Sequence, residues 1–239
     1  PFAYRKVKSM RGSVEWARED GPALMTVTPY FRKSEMDLLA TFMLNNDPVD
    51  SSTGYRSAGL LATYRYDFEP MRTRLITGVD LDYSPGFREE ERIIPRRVAG
   101  IFESYTSDGI IYDYDVTFWQ ASPYLQVETS PTERLRVTAG LRYDTFGFDY
   151  ENNLDSGSFL TRLPSGVRSF YRPADERVDY ERLSPSLGVT YEFSDSLNGF
   201  VSYKQSFRVP QESNLFRQGA NIDSLGLKPV LADSVEAGL

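Results

Sequence analysis

Between residues 133 and 150 the chain reads ERLRVTAGLRYDTFGFDY, and its positions sort onto two faces with a period of two. Leu135, Val137, Ala139, Leu141 and Tyr143 fall on one face, and Arg134, Arg136, Thr138, Gly140, Arg142 and Asp144 on the other. Such alternation predicts a strand with one apolar and one polar side. The pattern recurs along the chain. Residues 4–18 end with Met10, Val14 and Trp16 alternating with Arg11, Ser13 and Glu15, and a turn at Glu19-Asp20-Gly21 leads into a second strand over 22–32. Residues 54–68 set Ala58, Leu60, Ala62, Tyr64, Tyr66 and Phe68 against Ser57, Gly59, Thr63, Arg65 and Asp67. Residues 72–84 set Leu75, Val79, Leu81 and Tyr83 against Arg74, Gly78, Asp80 and Asp82. Further strands are expected over 110–128, 183–193 and 197–207, with a ninth beginning at Asp233. Within 110–128 the apolar side passes from Tyr112, Tyr114 and Phe118 to Trp119, Ala121, Leu125 and Val127, which predicts a bulge or a change of facing near Thr117.

The connections alternate in length. Short turns are expected at 19–21, 69–71, 130–132 and 194–196, and long loops at 33–53, 85–109, 151–180 and 208–232, so every long loop falls at one end of an up-and-down sheet. Structureless loops beyond about 12 to 15 residues are uncommon in compact soluble domains. Short turns at one end and long loops at the other are the pattern of outer-membrane barrels. Aromatic residues gather near both strand ends: Trp16, Phe68 and Phe193 beside the short turns, and Tyr83, Phe146, Phe148, Tyr150 and Phe207 beside the long loops. Two aromatic girdles are expected at two membrane interfaces. The predicted fold is all-β, a transmembrane antiparallel up-and-down β-barrel, of which eight strands and part of a ninth are present.

Composition narrows the function. The 239 residues carry a net charge of -7, which argues against nucleic acid as a partner, since that needs a basic face. There is no Cys and no His, which removes disulfides, thiolate chemistry and a Ser-His-Asp triad. No apolar run approaches the roughly 18 residues of a membrane-spanning helix, whereas a β-strand crosses with about 9 to 11 alternating residues. The sequence opens at Pro1 without Met or a secretory signal and stops at Leu239 inside a strand-like run, so it is expected to be a piece of a longer chain.

Four segments in order carry a family resemblance: Leu141-Arg142-Tyr143-Asp144 within TAGLRYD; residues 184–191, SPSLGVTY; Ser206-Phe207-Arg208-Val209-Pro210 followed by Asn214-Leu215-Phe216; and Leu227-Lys228-Pro229 followed by Ser234-Val235-Glu236-Ala237-Gly238-Leu239. Together they resemble TonB-dependent outer-membrane receptors, well over 119–239 and through strand pattern alone before that. Ser206 stands where that family usually has Gly, and Val230 where it usually has Glu. The resemblance implies a barrel of 22 strands, an N-terminal plug that contacts the TonB complex, and active uptake of a scarce ligand. On that reading residues 1–239 are part of the barrel domain, with the plug and closing strands absent. The location is the outer membrane of a Gram-negative bacterium, and the partners are the ligand, the TonB complex through the plug, and outer-membrane lipid. Ferric siderophore, haem, cobalamin and oligosaccharide are the expected ligands in that order. The alternative is a small outer-membrane barrel acting as adhesin or structural anchor.

Candidate ligand contacts are basic and aromatic residues of the long loops, because Arg pairs with carboxylates bidentately and aromatic rings cover apolar ligand parts. They are Phe87, Arg92, Arg96, Arg97, Phe102 and Tyr105 in the second loop, Arg168, Phe170, Tyr171 and Arg172 in the third, and Phe216 and Arg217 in the fourth. The alternative for these residues is a solvated loop or contact with outer-leaflet phosphates. Arg56, Arg74, Asp80, Asp82, Arg136 and Arg142 are expected on the lumen wall, facing the plug. Asp80 and Asp82 share one strand face, whereas a glycosidase needs its carboxylates flanking a bond across a cleft. In DYENNLDSG at 149–157 Leu154 occupies the place of the Gly a calcium loop requires. No enzyme activity, metal or cofactor is expected.

Overall fold

The computed structural model describes residues 3–239. Its main strands are β1 (Tyr4–Ser13), β2 (Trp16–Asp20), β3 (Ala23–Leu39), β4 (Val49–Phe68), β5 (Thr73–Val98), β6 (Ile101–Thr129), β7 (Leu135–Asn152), β10 (Glu176–Ser194), β11 (Leu197–Arg208) and β12 (Val230–Gly238). A separate hairpin of β8 (Gly157–Leu163) and β9 (Gly166–Arg172) sits between β7 and β10, and a short helix α1 (Glu212–Phe216) lies between β11 and β12. The order across the sheet is β1-β3-β4-β5-β6-β7-β10-β11-β12, with β2 also on β3 and every pairing antiparallel. Ser13 faces Tyr30 and Trp16 faces Val27 in one unbroken register, so β1 and β2 are two halves of one strand interrupted at Val14-Glu15. The result is a nine-strand meander, as the alternation predicts.

Register sorts the side chains into rows. Met25, Tyr64, Thr77, Leu125, Leu141 and Pro185 are aligned across six strands on one face. Nearer the other end of the same face run Phe31, Ala58, Tyr83, Trp119 and Gly147. The opposite face carries Tyr30, Gly59, Asp82, Gln120, Phe146 and Tyr180 in one row and Arg65, Ile76, Gln126, Gly140, Ser186 and Lys204 in another. On the apolar face Met25, Tyr64, Leu81, Tyr83, Leu125, Leu141, Leu183, Leu187 and Phe193 are all exposed. A contiguous exposed apolar surface of this kind fits a lipid-facing wall. On β3 it runs from Ala23 to Phe31, about 27 Å along the strand, or about 20 Å of height at a tilt near 40°.

Three expectations are corrected. Residues 33–53 and 85–109 are largely strand, since β3 continues to Leu39, β4 starts at Val49, and β5 and β6 meet at a two-residue turn, Ala99-Gly100. Beyond the apolar belt neither face must be hydrocarbon, so pairing persists while the alternation that reveals it in sequence stops. Thr117 sits in continuous register with Pro85 and Asp149, and the irregularities lie higher in the β5–β6 ladder, between Glu90 and Ile93 and between Arg96 and Arg97. Tyr112, Tyr114 and Phe118 stay on the polar face throughout, and Trp119, Ala121, Leu125 and Val127 on the apolar one. The apparent switch in 110–128 is an aromatic patch on the polar face, which needs a cover.

Candidate functional site

The cover is the segment between β11 and β12. On β6 Tyr112, Tyr114, Val116 and Phe118 alternate onto the polar face, and on β7 Phe148 and Tyr150 lie opposite Phe118 and Val116. The Phe118 and Phe148 rings are 5.2 Å apart. Leu215 and Phe216 of α1 are fully buried against this patch, with Val49, Ile111 and Phe170 completing the cluster. A helix of one turn has little stability of its own, so these two apolar side chains hold α1 in place.

Around the cluster runs an ionic network. Arg217 pairs with Glu90 at 2.6 Å and with Asp47 at 2.6 Å. Arg88 pairs with Glu90 at 2.9 Å and Glu212 at 3.4 Å. Arg92 pairs with Asp47 at 2.6 Å and also donates to the Thr161 hydroxyl at 3.0 Å and the Pro48 carbonyl at 3.2 Å. Tyr114 donates its hydroxyl proton to Glu212. Three guanidiniums and three carboxylates thereby join the β3–β4 loop, β5, the β8–β9 hairpin and the α1 segment. Burial opposes charge on Asp47, yet Arg217 and Arg92 hold its carboxyl below the ordinary carboxylate range. Burial likewise disfavours the Arg217 cation, and Glu90 and Asp47 raise its pKa above the usual value nonetheless. The Tyr114 phenol is pushed well up by burial and by the neighbouring Glu212.

Beside this network a cavity of about 430 Å³ opens on the polar face, lined by Met36, Tyr55, Val116, Phe118 and Phe148, with Arg5, Arg88 and Glu212 supplying charge. Its floor suits the apolar or aromatic part of a ligand, and its guanidiniums suit anionic oxygens.

The sequence model of the family described as "TonB dependent receptor-like, beta-barrel" matches residues 7–239. The chain belongs to the TonB-dependent receptor family. Solved receptor structures agree in fold. The ferric yersiniabactin uptake receptor FyuA from Yersinia pestis superposes with a TM-score of 0.64 at 10% identity, over 99% of this chain and 33% of that one. The ferric-catecholate import receptor Fiu from K12 E. coli gives 0.66 at 12% identity, over 99% and 38%. The siderophore receptor PiuA from Acinetobacter baumannii gives 0.63 at 14% identity, over 99% and 38%. The chain therefore spans about a third of the length of these receptors.

Within this receptor barrel, the sequence-predicted residues divide. Arg92, Phe170, Phe216 and Arg217 gather in the aromatic and ionic cluster, where Arg92 lies 5.7 Å from the Phe170 ring. Arg172 joins its edge, donating to the Ile111 carbonyl at 2.8 Å and lying 3.7 Å from the Phe159 ring, while the Tyr171 backbone pairs with Gly219. Arg96, Arg97, Phe102 and Tyr105 stand together at the β5–β6 hairpin. There the Arg97 guanidinium covers the Phe102 ring at 4.2 Å, and Tyr105 shares Asp50 with Tyr4. Arg168 is exposed on β9, opposite Thr161. Phe87 has the parity of the apolar face, where it lies across Gly54, and it also lines the edge of the cavity.

Of the expected lumen residues, Asp80 and Arg142 pair at 2.7 Å, with Asp144 on the same guanidinium at 2.8 Å. Asp82 accepts hydrogen bonds from Tyr30, Arg32, Ser57 and Ser84. Arg74 pairs with Asp67 at 2.6 Å, and Arg136 lines a polar hollow with it beside the short turns. Arg56 is a correction: it shares the face of Ala58 and Leu60, next to Lys33 and above the Tyr83 row, because its position has the parity of the apolar set. Sequence reasoning missed Asp47, Arg88, Glu90, Glu212, Tyr55, Phe118 and Phe148. The available signal was aromatic residues on the parity of Gln120 and Ser122, which marks a covered patch.

Proposed function

We propose that this chain is the first and middle part of the barrel of an outer-membrane active-transport receptor, in a Gram-negative bacterium, that takes up a scarce ligand by way of a TonB-energised plug. A ferric siderophore is the preferred ligand, ahead of haem, cobalamin and oligosaccharide. The observation that carries this reading is the cavity on the lumen face under α1, where Phe118, Phe148 and Tyr55 meet Arg88 and Arg5. An aromatic floor with guanidiniums suits an anionic chelate with planar parts. The residues of the lumen wall, Asp80, Arg142, Arg74 and Arg136, would meet the plug, and the exposed apolar wall would meet lipid. The shared fold of FyuA, a ferric yersiniabactin uptake receptor, Fiu, a ferric-catecholate import receptor, and PiuA, a siderophore receptor, lends support. A small closed barrel would pair its first strand with its last, whereas β1 and β12 stand at opposite edges of this sheet. The reading assigns no catalysis to the chain.

The test is binding of ferric siderophores, haem, cobalamin and oligosaccharides to the full-length receptor in detergent, followed by quenching of aromatic fluorescence. One saturable ligand weakened about tenfold or more by Phe118→Ala and by Arg88→Gln supports the reading. The parallel set Arg96→Ala, Arg97→Ala, Arg168→Ala and Arg172→Ala reports whether the hairpins add contacts. Saturable binding that neither set alters would move the site to the plug or the remaining strands, and no binding across the panel would overturn the ligand ranking.

A further inference from the structure

Two hairpins stand beyond the cavity at the same end of the sheet. Residues 92–102 contain Arg92, Arg96 and Arg97, residues 157–172 contain Arg162, Arg168 and Arg172, and neither stretch contains an acidic residue, in a chain whose net charge is -7. Arg92 and Arg172 are engaged as described. Among the described residues Arg96, Arg162 and Arg168 have no ion pair, and Arg97 bonds only a neutral amide, Asn45. All four are exposed. Beside them Val98, Ile101, Leu160 and Val167 are 44%, 72%, 77% and 61% exposed. A groove of about 480 Å³ joins the hairpins, with Ile94, Pro95 and Phe102 from one, Leu163 and Pro164 from the other, and Arg97 and Arg162 in its walls.

Lipid does not account for these apolar side chains. Val98 is fifteen positions beyond Tyr83 on β5. At about 3.3 Å per residue that is about 50 Å of strand, or about 35 Å above the aromatic row even at a tilt of 45°. A small anion would want guanidiniums converging on one point, whereas these are spread over two hairpins. An acidic polysaccharide would use the cations and leave Ile101 and Leu160 in water. Unpaired Arg around exposed aliphatic side chains is the composition of a protein interface, in which Arg supplies both charge complementarity and packed area.

We infer that the paired hairpins form a docking surface for an extracellular protein whose contact face is acidic at its rim and apolar at its centre. This rests on the proposed function, in which the end of the sheet that carries the long connections faces out of the cell, and the test separates the two. Ser165→Cys in the β8–β9 turn is placed in the full-length receptor on intact cells and treated with a membrane-impermeant maleimide, against the unsubstituted receptor. Labelling supports the orientation, and its absence in folded receptor would overturn both readings. Binding is then measured on the full-length receptor in nanodiscs, with a Glu–Tyr 4:1 copolymer, poly-Glu and alginate as probes. The expected result is copolymer binding about tenfold tighter than poly-Glu. The joint set Arg96→Gln, Arg97→Gln, Arg162→Gln and Arg168→Gln should weaken it about tenfold, while Ile101→Ser with Leu160→Ser should weaken the copolymer and leave poly-Glu unchanged. Copolymer binding indifferent to both sets would overturn the docking surface. Alginate binding as tight as the copolymer, with Ile101→Ser and Leu160→Ser silent, would overturn the protein partner in favour of a polysaccharide.

Discussion

The ring of Phe216 lies 4.5 Å from that of Tyr150 and within 11° of parallel, so the segment between β11 and β12 is stacked onto the wall of the barrel. Phe216→Ala should remove about 3 to 5 kcal/mol of packing locally and release α1 while the nine-strand wall remains. Hydrogen exchange on the full-length receptor checks this: residues 209–229 should lose protection and β5 to β7 should keep theirs. Loss of protection throughout would mean that the stack supports the barrel itself.

The Tyr150 hydroxyl is buried and has no hydrogen-bond partner among the described residues. Tyr150→Phe keeps the ring and deletes an unpaired polar atom, so it should leave the segment as protected as before, or slightly more so. A loss comparable to that of Phe216→Ala would show that the hydroxyl has a partner in solution.

Glu90 is almost fully buried between Arg88 and Arg217. Arg217→Ala leaves Glu90 only Arg88 and Asp47 only Arg92, and should cost about 1 to 3 kcal/mol for the charged hydrogen bonds lost. Since the folded pKa of Asp47 is depressed, its contribution is complete above the unfolded value near 4 and fades as pH falls through the lower folded value. Exchange protection of residues 209–229 should therefore be flat from about pH 7 to pH 5 and fall below about pH 4. In Asp47→Asn protection should be lower at pH 7 and less sensitive to acid.

A Cβ on Gly59 would lie 2.2 Å from Cζ of Tyr30 and 2.5 Å from the Leu81 carbonyl oxygen. Tyr30 crosses the backbone of β4 at this point to reach Asp82 on β5. Gly59→Ala must push the phenol aside and crowd a backbone atom, at an expected cost of about 1 to 3 kcal/mol. Thermal melting of the full-length receptor measures it. An unchanged melting temperature would mean that the bond from Tyr30 to Asp82 contributes little.

The wall was legible in the sequence wherever lipid imposes a choice on alternate residues, as on Leu135 to Tyr143 or Leu75 to Tyr83. It became illegible where water lies on both sides, as in residues 33–39 and 85–98, which pair as strands without alternating. The site was half legible. Phe216, Arg217, Arg92 and Phe170 stood out as aromatic and basic residues of loops, but their partners Asp47 and Glu90 lie 170 and 127 positions from Arg217. No local spacing encodes a pairing of that range. It also changes what those arginines do, because a guanidinium already shared between two carboxylates is held in place before any ligand arrives.

The turn at the end of β5 holds Ala99 at φ 49° and Gly100 at φ 79°, a two-residue hairpin with both centres left-handed. Ala is strained there by about 1 kcal/mol, and Ala99→Asn should relieve it, raising exchange protection at the tip with no effect in the membrane belt.

Because β5 and β6 remain hydrogen-bonded to one another far beyond the apolar belt, as far as Val98 and Ile101, the tip of this hairpin is a stiff mast rather than a tether. A flexible loop must be frozen by whatever it meets, at about 1 to 2 kcal/mol of backbone entropy per residue. A laddered hairpin has given up that freedom during folding, so an encounter at its tip begins with the shape already set.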